Sequence, residues 1–177
     1  KMGVNPSLVH ALELKALDFE ELGQPGKAES YFKKSLSAAE KTDSPQLLAK
    51  ARLNLCEFYA RQRNLKAANP VCSKALDGFE TAKMPSLVAR THAQLAHLAH
   101  RKQKLEEARK HYQEAVSTIQ SYAKSSLPAF AREMANLCQV EMLLTTQESH
   151  KQCKKALKVL ANHPNPPKSM RASTHYA

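Results

Sequence analysis

Apolar residues recur at helical spacing along most of the chain, and the pattern itself repeats. Segments that begin at residues 26, 66 and 106 align small, apolar and aromatic positions at a strict forty-residue period, and a fourth segment, from residue 148, slips by a residue or two. Upstream of each lies a second segment of the same kind, at residues 12–19, 52–59, 92–99 and 134–141. Because apolar residues fall at i, i+3, i+4 and i+7 in both, each unit predicts a pair of amphipathic helices.

Local signals mark the ends of these helices. Pro45, Pro85 and Pro128 stand near first helical turns, and residues 42–44 and 125–126 offer N-cap oxygens. The pattern predicts an all-α chain of eight helices, near residues 6–22, 26–41, 45–61, 65–82, 86–101, 105–122, 127–144 and 147–161. They pair into repeats near 6–41, 45–82, 86–122 and 127–161, which form a helical repeat domain at 1–161. The Pro-rich segment 162–177 is predicted to be a tail or linker.

Small residues stand where the two helices of a pair would pack together. The small position of the first helix holds Ala16, Cys56, Ala96 and Cys138. The second helix has two small positions, the first with Ala28, Ala68, Ala108 and Ser149 and the second with Ser35, Ala75, Ala115 and Ala156. Between these two stands a larger residue, which is Phe32, Cys72, Tyr112 or Cys153. These residues resemble the tetratricopeptide repeat (TPR), and the spacing is similar to its long forty-residue form. The resemblance implies a right-handed superhelix (α-solenoid) of about four antiparallel helical hairpins and a scaffold that binds other proteins.

Composition and charge narrow the functional classes. Only 4 glycines occur in 177 residues, so a phosphate-cradling loop could hardly be built, and the sequence has neither a nucleophile elbow nor a His-Glu-x-x-His helix. We therefore expect no enzyme activity and no cofactor. The formal net charge of +11 attracts acidic partners and nucleic acid. The sequence has only four cysteines and no signal peptide, which predicts a reducing intracellular location, cytoplasmic or nuclear. It has no apolar run of membrane-spanning length, which predicts no membrane partner.

A partner would meet the first helix of each pair, which lines the concave surface of a stack of helical hairpins. Equivalent positions form four rows: His10, Lys50, Arg90 and Arg132; Leu14, Asn54, Gln94 and Asn136; Leu17, Glu57, His97 and Gln139; and Glu21, Arg61, Arg101 and Leu143. By resemblance, this groove binds extended or short helical peptides. Side-chain amides can pair with a peptide backbone, and arginines can take carboxylates bidentately.

The sequence thus predicts a peptide-binding groove for an acidic or C-terminal segment of a partner. Its predicted residues are Lys50, Asn54, Arg61, Arg90, Gln94, His97, Arg101, Arg132, Asn136 and Gln139. The alternative is that these side chains form an ordinary solvated face.

Two other functions compete with peptide binding. The final predicted helix carries a basic stripe that could contact the phosphates of RNA or DNA, formed by Lys151, Lys154, Lys155 and Lys158. Against this, the few aromatic residues fall at core positions, which leaves no stacking platform, and a lysine-rich terminal helix is commonly a solvated outer face. The third interpretation is a structural module of a larger complex, with self-association through exposed end hairpins.

The cysteines suggest chemistry but fall at packing positions. Cys56 could approach Cys72, and Cys138 could approach Cys153, within their own repeats. Buried thiols that act as small hydrophobes are the favoured interpretation, with redox pairing as the alternative.

Histidines are the other candidates for chemistry. His92, His97 and His100 share one predicted helix and His111 lies on the next. Imidazoles without further ligands are a weak zinc signal, so we predict no metal site. Groove histidines would instead give mild pH sensitivity.

Overall fold

The computed structural model describes residues 5–122, residues 127–144 and Cys153, without the side chains of residues 122, 127–131 and 142. These residues contain no strand and form seven helices: α1 (Pro6–Glu21), α2 (Pro25–Ala39), α3 (Pro45–Arg61), α4 (Leu65–Thr81), α5 (Pro85–Arg101), α6 (Leu105–Tyr122) and α7 (Leu127–Leu144). The predicted all-α class is confirmed, and each of these helices begins and ends within two residues of its predicted bounds. The eighth predicted helix, the segment 125–126 and the tail 162–177 lie outside the described residues.

Helix starts follow the predicted signals. A proline occupies the first helical position of four helices, namely Pro6, Pro25, Pro45 and Pro85. The Ser44 hydroxyl accepts a hydrogen bond from the Leu47 N–H at 3.3 Å, so its predicted N-cap role is confirmed. Thr42 instead donates to the carbonyl of Ala39 at the end of α2.

The forty-residue period reappears in the backbone of the turns. Each turn from a first helix to a second contains a residue in the left-handed region: Gly23 (φ 68°), Arg63 (φ 58°) and Gln103 (φ 60°). The N–H of the next residue donates to the carbonyl five positions earlier, in the pairs Gln24–Phe19, Asn64–Tyr59 and Lys104–Ala99 at 2.8, 2.9 and 3.0 Å. This C-terminal capping pattern ends each first helix at the same point of the repeat and sets the exit direction of the next helix.

The interior of each hairpin is filled in one of two ways. In repeats one and three, the small first-helix residue and an aromatic residue of the second helix belong to one core cluster, as Ala16 with Phe32 and Ala96 with Tyr112. In repeats two and four, disulfides join Cys56 to Cys72 and Cys138 to Cys153, each with a Cα–Cα distance of 5.3 Å. The prediction of four free thiols is therefore wrong. The argument for a reducing compartment also loses the support that it took from unpaired cysteines.

Small residues let the paired helices approach closely, as the repeat pattern predicts. The second-helix positions that the structure describes are all buried: Ala28, Ser35, Ala68, Ala75, Ala108 and Ala115. Helices α3 and α4 approach each other closely at Gly78. There a Cβ added at Gly78 would come within 2.8 Å of the Cβ of Ala49. Ser149 and Ala156, the fourth-repeat counterparts, lie outside the described residues.

Successive hairpins stack so that first helices meet. Helix α1 contacts α3, and α3 contacts α5, in addition to the contacts between chain neighbours. Helices α1, α3 and α5 therefore lie side by side and share a common face. Within the described ranges, no helix has the length and apolar character needed to cross a membrane.

Candidate functional site

One face of the first helices remains open to solvent. We call it the groove face, and it consists of His10, Leu14, Leu17 and Glu21 in α1 and their in-register counterparts in α3, α5 and α7 given above. All sixteen of these residues are exposed or half-buried. Residues that alternate with them in α3, such as Ala49, Leu53 and Cys56, are buried. The structure thus brings the predicted groove residues onto one surface, and their role in binding stays a prediction.

Two cavities lie along the groove face. One of about 270 Å³ extends from α1 to α5, and its lining includes Leu14, Leu17, Phe32, Asn54, Glu57, Arg61 and Arg90. The next, of about 210 Å³, lies between α3 and α5 and is lined by Ala60, Arg61, Gln94, His97, Leu98 and Arg101. The two amides Asn54 and Gln94, which are equivalent in the repeat, therefore occupy successive cavities.

Two predicted groove arginines are already bound to glutamates of the preceding repeat. Nε and Nη2 of Arg61 donate to the two carboxylate oxygens of Glu20, both at 2.7 Å. Arg90 binds Glu57 in the same way, both bonds at 2.8 Å. The carboxylates are 18% and 17% exposed, so the pairs are shielded from water on one side. This corrects the expectation that these guanidinium forks are free for a ligand, because each now ties two repeats together.

The fourth repeat uses its polar residues internally. Glu133 is buried, with 2% of its surface exposed, and accepts hydrogen bonds from Arg132 Nε at 2.8 Å and Asn136 Nδ2 at 3.1 Å. The predicted amide of this repeat is therefore engaged with a buried carboxylate. Gln139, next on the same face, is exposed.

Arg101 differs from the other groove arginines in its partner. Its Nη1 donates to the carbonyl of Ala60 at 2.9 Å, which joins the third repeat to the second, as the bond of Arg61 to Glu20 joins the second repeat to the first. Because a carbonyl carries no net charge, the positive charge of Arg101 is not neutralised by this bond. Arg101 also lines a further cavity, of about 240 Å³, beside Arg63.

His97 forms a hydrogen bond with the second helix of its repeat. Its Nδ1 lies 2.8 Å from the hydroxyl of Tyr112. Burial lowers the pKa of His97 and raises the pKa of Tyr112, so both side chains are neutral at pH 7. The groove face at this point offers a neutral hydrogen-bonding imidazole rather than a cation.

Sequence reasoning missed two features of the groove. The first is the set of carboxylates: Glu20 stands forty-one residues before Arg61, one period plus one residue, and only the geometry of adjacent repeats brings the two together. The second is the apolar character of the first repeat. Leu14 and Leu17 are 49% and 42% exposed and stand in the rows that hold Asn54 and Glu57 one repeat later. That substitution in register was the signal that could have identified an apolar subsite.

The structure does not place every predicted residue. The lysine stripe at Lys151, Lys154, Lys155 and Lys158 lies outside the described residues. Lys50 is exposed on the groove face.

The histidines form a pair rather than a cluster. Nδ1 of His92 lies 3.1 Å from Nδ1 of His111, across the hairpin of α5 and α6, and burial lowers the pKa of both. Among the described residues, no group of three or more His, Cys, Asp or Glu side chains is arranged to hold a metal ion.

Helical hairpins stacked at a forty-residue period define a class, the helical-repeat proteins with a groove along their first helices. Residues 89–122 match the family model of the tetratricopeptide repeat. The predicted resemblance to the tetratricopeptide repeat is confirmed by this match and by the solved TPR-like structures that share the fold. No curated protein matches the chain in sequence.

Several solved structures are similar to this chain. A putative kinesin light chain from Podosopora anserina, with nearly identical TPR-like repeats, has a TM-score of 0.80 at 15% identity, covering 97% of this chain and 84% of that one. BtubC (BKLC) from P. vanneervenii has a TM-score of 0.77 at 18% identity, covering 93% and 69%. Aspartyl phosphate phosphatase F from Bacillus subtilis has a TM-score of 0.72 at 12% identity, covering 89% and 42%. At these identities the likeness shows the fold.

Proposed function

We propose that this protein is a non-enzymatic scaffold that binds an extended or short helical peptide segment of a partner protein along the groove face. The segment carries an acidic side chain or a free C-terminal carboxylate for Arg101 and an apolar side chain for Leu14 and Leu17. The observation that carries the proposal is the in-register line of amides, Asn54 and Gln94, at successive cavities.

Amide side chains suit a peptide backbone because each both donates and accepts hydrogen bonds, whatever the peptide sequence. Spaced one repeat apart, Asn54 and Gln94 can hold two points of one chain and fix its direction. The exposed leucines beside them give the apolar subsite that a bound peptide needs for specificity.

The expected preference for an acidic ligand depends on which groove cations are not already paired with a carboxylate. Glu20 and Glu57 compete with a ligand for Arg61 and Arg90, so those two contribute weakly. Arg101, bonded to a neutral carbonyl, attracts a carboxylate without that competition. Lys50 adds an exposed cation. Arg132 is paired with Glu133 at 2.8 Å and therefore contributes weakly, as Arg61 and Arg90 do.

Selection from a library of random peptides with free C-termini, followed by anisotropy measurements on the enriched peptides, tests the proposal. We expect the enriched peptides to combine acidic and apolar residues. Asn54→Ala with Arg101→Gln removes a backbone contact and a charge-assisted hydrogen bond. The latter alone is worth about 1.5–3 kcal/mol, so the affinity should fall at least about tenfold.

Arg52→Gln is the matched control. Arg52 also donates to a backbone carbonyl, that of Lys74 at 3.4 Å, but it is not part of the groove face. This variant should bind as the wild type does. If the selected peptides bind Asn54→Ala/Arg101→Gln and Arg52→Gln with equal affinity, or if no peptide is enriched, the groove is not the binding surface.

We further propose that the repeat domain extends to residue 161, that 162–177 is a tail or linker, and that exposed end hairpins allow self-association. Light scattering of the full chain and of a chain truncated after residue 161 tests these points. A cytoplasmic or nuclear location remains part of the proposal. Trapping free thiols during cell lysis tests it, because a reducing compartment would keep Cys56 and Cys72 alkylatable in the denatured protein.

A further inference from the structure

A pair of stacked aromatic rings lies between the first two helices, ringed by lysines. Phe19 of α1 and Tyr31 of α2 have ring centroids 5.2 Å apart at an interplanar angle of 23°. Nζ of Lys15 lies 5.1 Å and Nζ of Lys34 4.6 Å from the centroid of Tyr31, and Nζ of Lys27 lies 5.3 Å from that of Phe19. Both rings are half-buried, which corrects the expectation that the aromatic residues all lie at core positions.

The positive charge of this cluster is uncompensated. No carboxylate oxygen of a described residue lies within 4.0 Å of Lys15, Lys27 or Lys34, whereas the neighbouring Lys33 is bound to Glu29 at 2.8 Å. Lys27 also stands in the first turn of α2, which contains no acidic residue and lies at the positive end of the helix dipole. Lys15 and Lys34 both lie over the ring of Tyr31, so one bound anion could contact both ammonium groups.

The cluster is a different surface from the groove face. The groove positions of α1 repeat at residues 10, 14, 17 and 21, whereas Lys15 and Phe19, four residues apart, lie along another side of the helix. Contact of each ammonium with a ring face holds the three lysines around one small area. The site is therefore a compact set of point charges on an aromatic base.

We propose that this cluster binds the phosphate backbone of a single-stranded nucleic acid. Lysine ammonium groups bind phosphate as point charges, whereas paired carboxylates are better matched by arginine forks. Proteins that hold single strands without reading sequence combine cations with aromatic rings. Here the two half-buried rings stack on each other and pack against the core, so they position the ammonium groups, and the lysines would contact the strand. The net charge of +11 draws a polyanion toward the protein, but it arises after residue 41, because residues 1–41 contain six lysines and six carboxylates. The choice of ligand therefore rests on the local grouping of the three lysines.

Fluorescence anisotropy of a labelled poly(U) RNA, titrated with the full chain over a series of salt concentrations, tests the proposal. Each phosphate contact contributes about 0.7 to the slope of log K against log salt for single strands. The variant Lys15→Gln/Lys27→Gln/Lys34→Gln should therefore lower the slope by about 2, which corresponds to roughly 100-fold weaker binding near 0.1 M salt. Thermal melts of each variant verify that it folds.

The control removes the same charge elsewhere, with Lys66→Gln/Lys74→Gln/Lys83→Gln at exposed positions of the second repeat. This variant should keep nearly the wild-type slope. Equal losses in both triple variants would mean that only net charge matters, and the proposal would be wrong. The proposal would also be wrong if the wild type does not bind RNA. It would be wrong as well if Lys15→Gln/Lys27→Gln/Lys34→Gln keeps its RNA binding but loses binding of poly-glutamate.

Discussion

The close approach of α3 and α4 makes Gly78→Ala a sharp test of the hairpin packing. An added Cβ would lie 2.8 Å from the Cβ and 3.7 Å from the Cα of Ala49, which is fully buried. An alanine Cβ has no rotamer by which to move aside. Relief of the contact therefore requires the two helices to separate.

Two opposing effects decide the sign of the change in stability. Replacing glycine by alanine inside a helix gains about 1 kcal/mol of helix propensity. Overpacking of a well-packed core costs about 1–3 kcal/mol. We expect the second effect to win and the free energy of unfolding to fall by about 1 kcal/mol, a decrease in Tm of about 2–4 °C for a chain of this length.

Urea denaturation of four variants measures both effects. Gly26→Ala is the control, because no atom lies within 4 Å of its added Cβ, and it should leave stability unchanged or slightly higher. Ala49→Gly alone should destabilise, but in combination with Gly78→Ala it removes the clash, so the double-mutant cycle should show a favourable coupling of about 1–3 kcal/mol. If Gly78→Ala stabilises the protein as much as Gly26→Ala does, the two helices are not in contact at this point.

Three further predictions concern stability. Replacing both Cys56 and Cys72 by alanine should lower the free energy of unfolding by about 3 kcal/mol, as a loop of this length predicts. Adding dithiothreitol should lower the urea midpoint of the wild type more than that of the variant, in which only the Cys138–Cys153 bond remains to be reduced. Burial holds the pKa of His92 and of His111 below the ordinary value, so the unfolded chain takes up protons before the folded chain does as the pH falls. The stability that these groups contribute should therefore be complete above about pH 6.5 and decline as the pH falls toward the lowered pKa values. A urea midpoint that does not change between pH 7.5 and 5.5 would contradict this, and His111→Gln should reduce the dependence. Glu57→Gln should cost less than about 1 kcal/mol at low salt and less still at 1 M salt, and a loss that is independent of salt would mean that the carboxylate acts through packing instead.

The helices were predictable because their signals are local. Apolar spacing, prolines at helix starts and the Ser44 cap depend only on neighbours in the chain, and the observed helix bounds agree within two residues. Exposure of the groove rows was predictable for a related reason. Once a period of forty is known, equivalent positions must share an environment, whichever residues occupy them.

The contacts between repeats were not predictable in the same way. That Glu20 reaches Arg61 depends on the stagger of adjacent hairpins, which the sequence pattern does not contain. Whether Cys56 and Cys72 pair depends on a distance of a few ångströms between two helices. The sequence does not contain that distance, because buried thiols and a disulfide give the same apolar pattern. The stack of Phe19 on Tyr31 likewise joins residues of two helices at positions that the repeat pattern treats as packing sites.

Arg61 both lines the groove cavities and joins the first two repeats, so a ligand in the groove would affect how those repeats pack. Its guanidinium lines both cavities and also joins the second repeat to Glu20 of the first. A ligand that draws Arg61 away from Glu20 weakens the contact between those hairpins. By thermodynamic reciprocity, the Arg61–Glu20 contact weakens binding of that ligand by the same free energy. A mutation at Glu20 would thus change both the affinity of a groove ligand and the packing of the first two repeats.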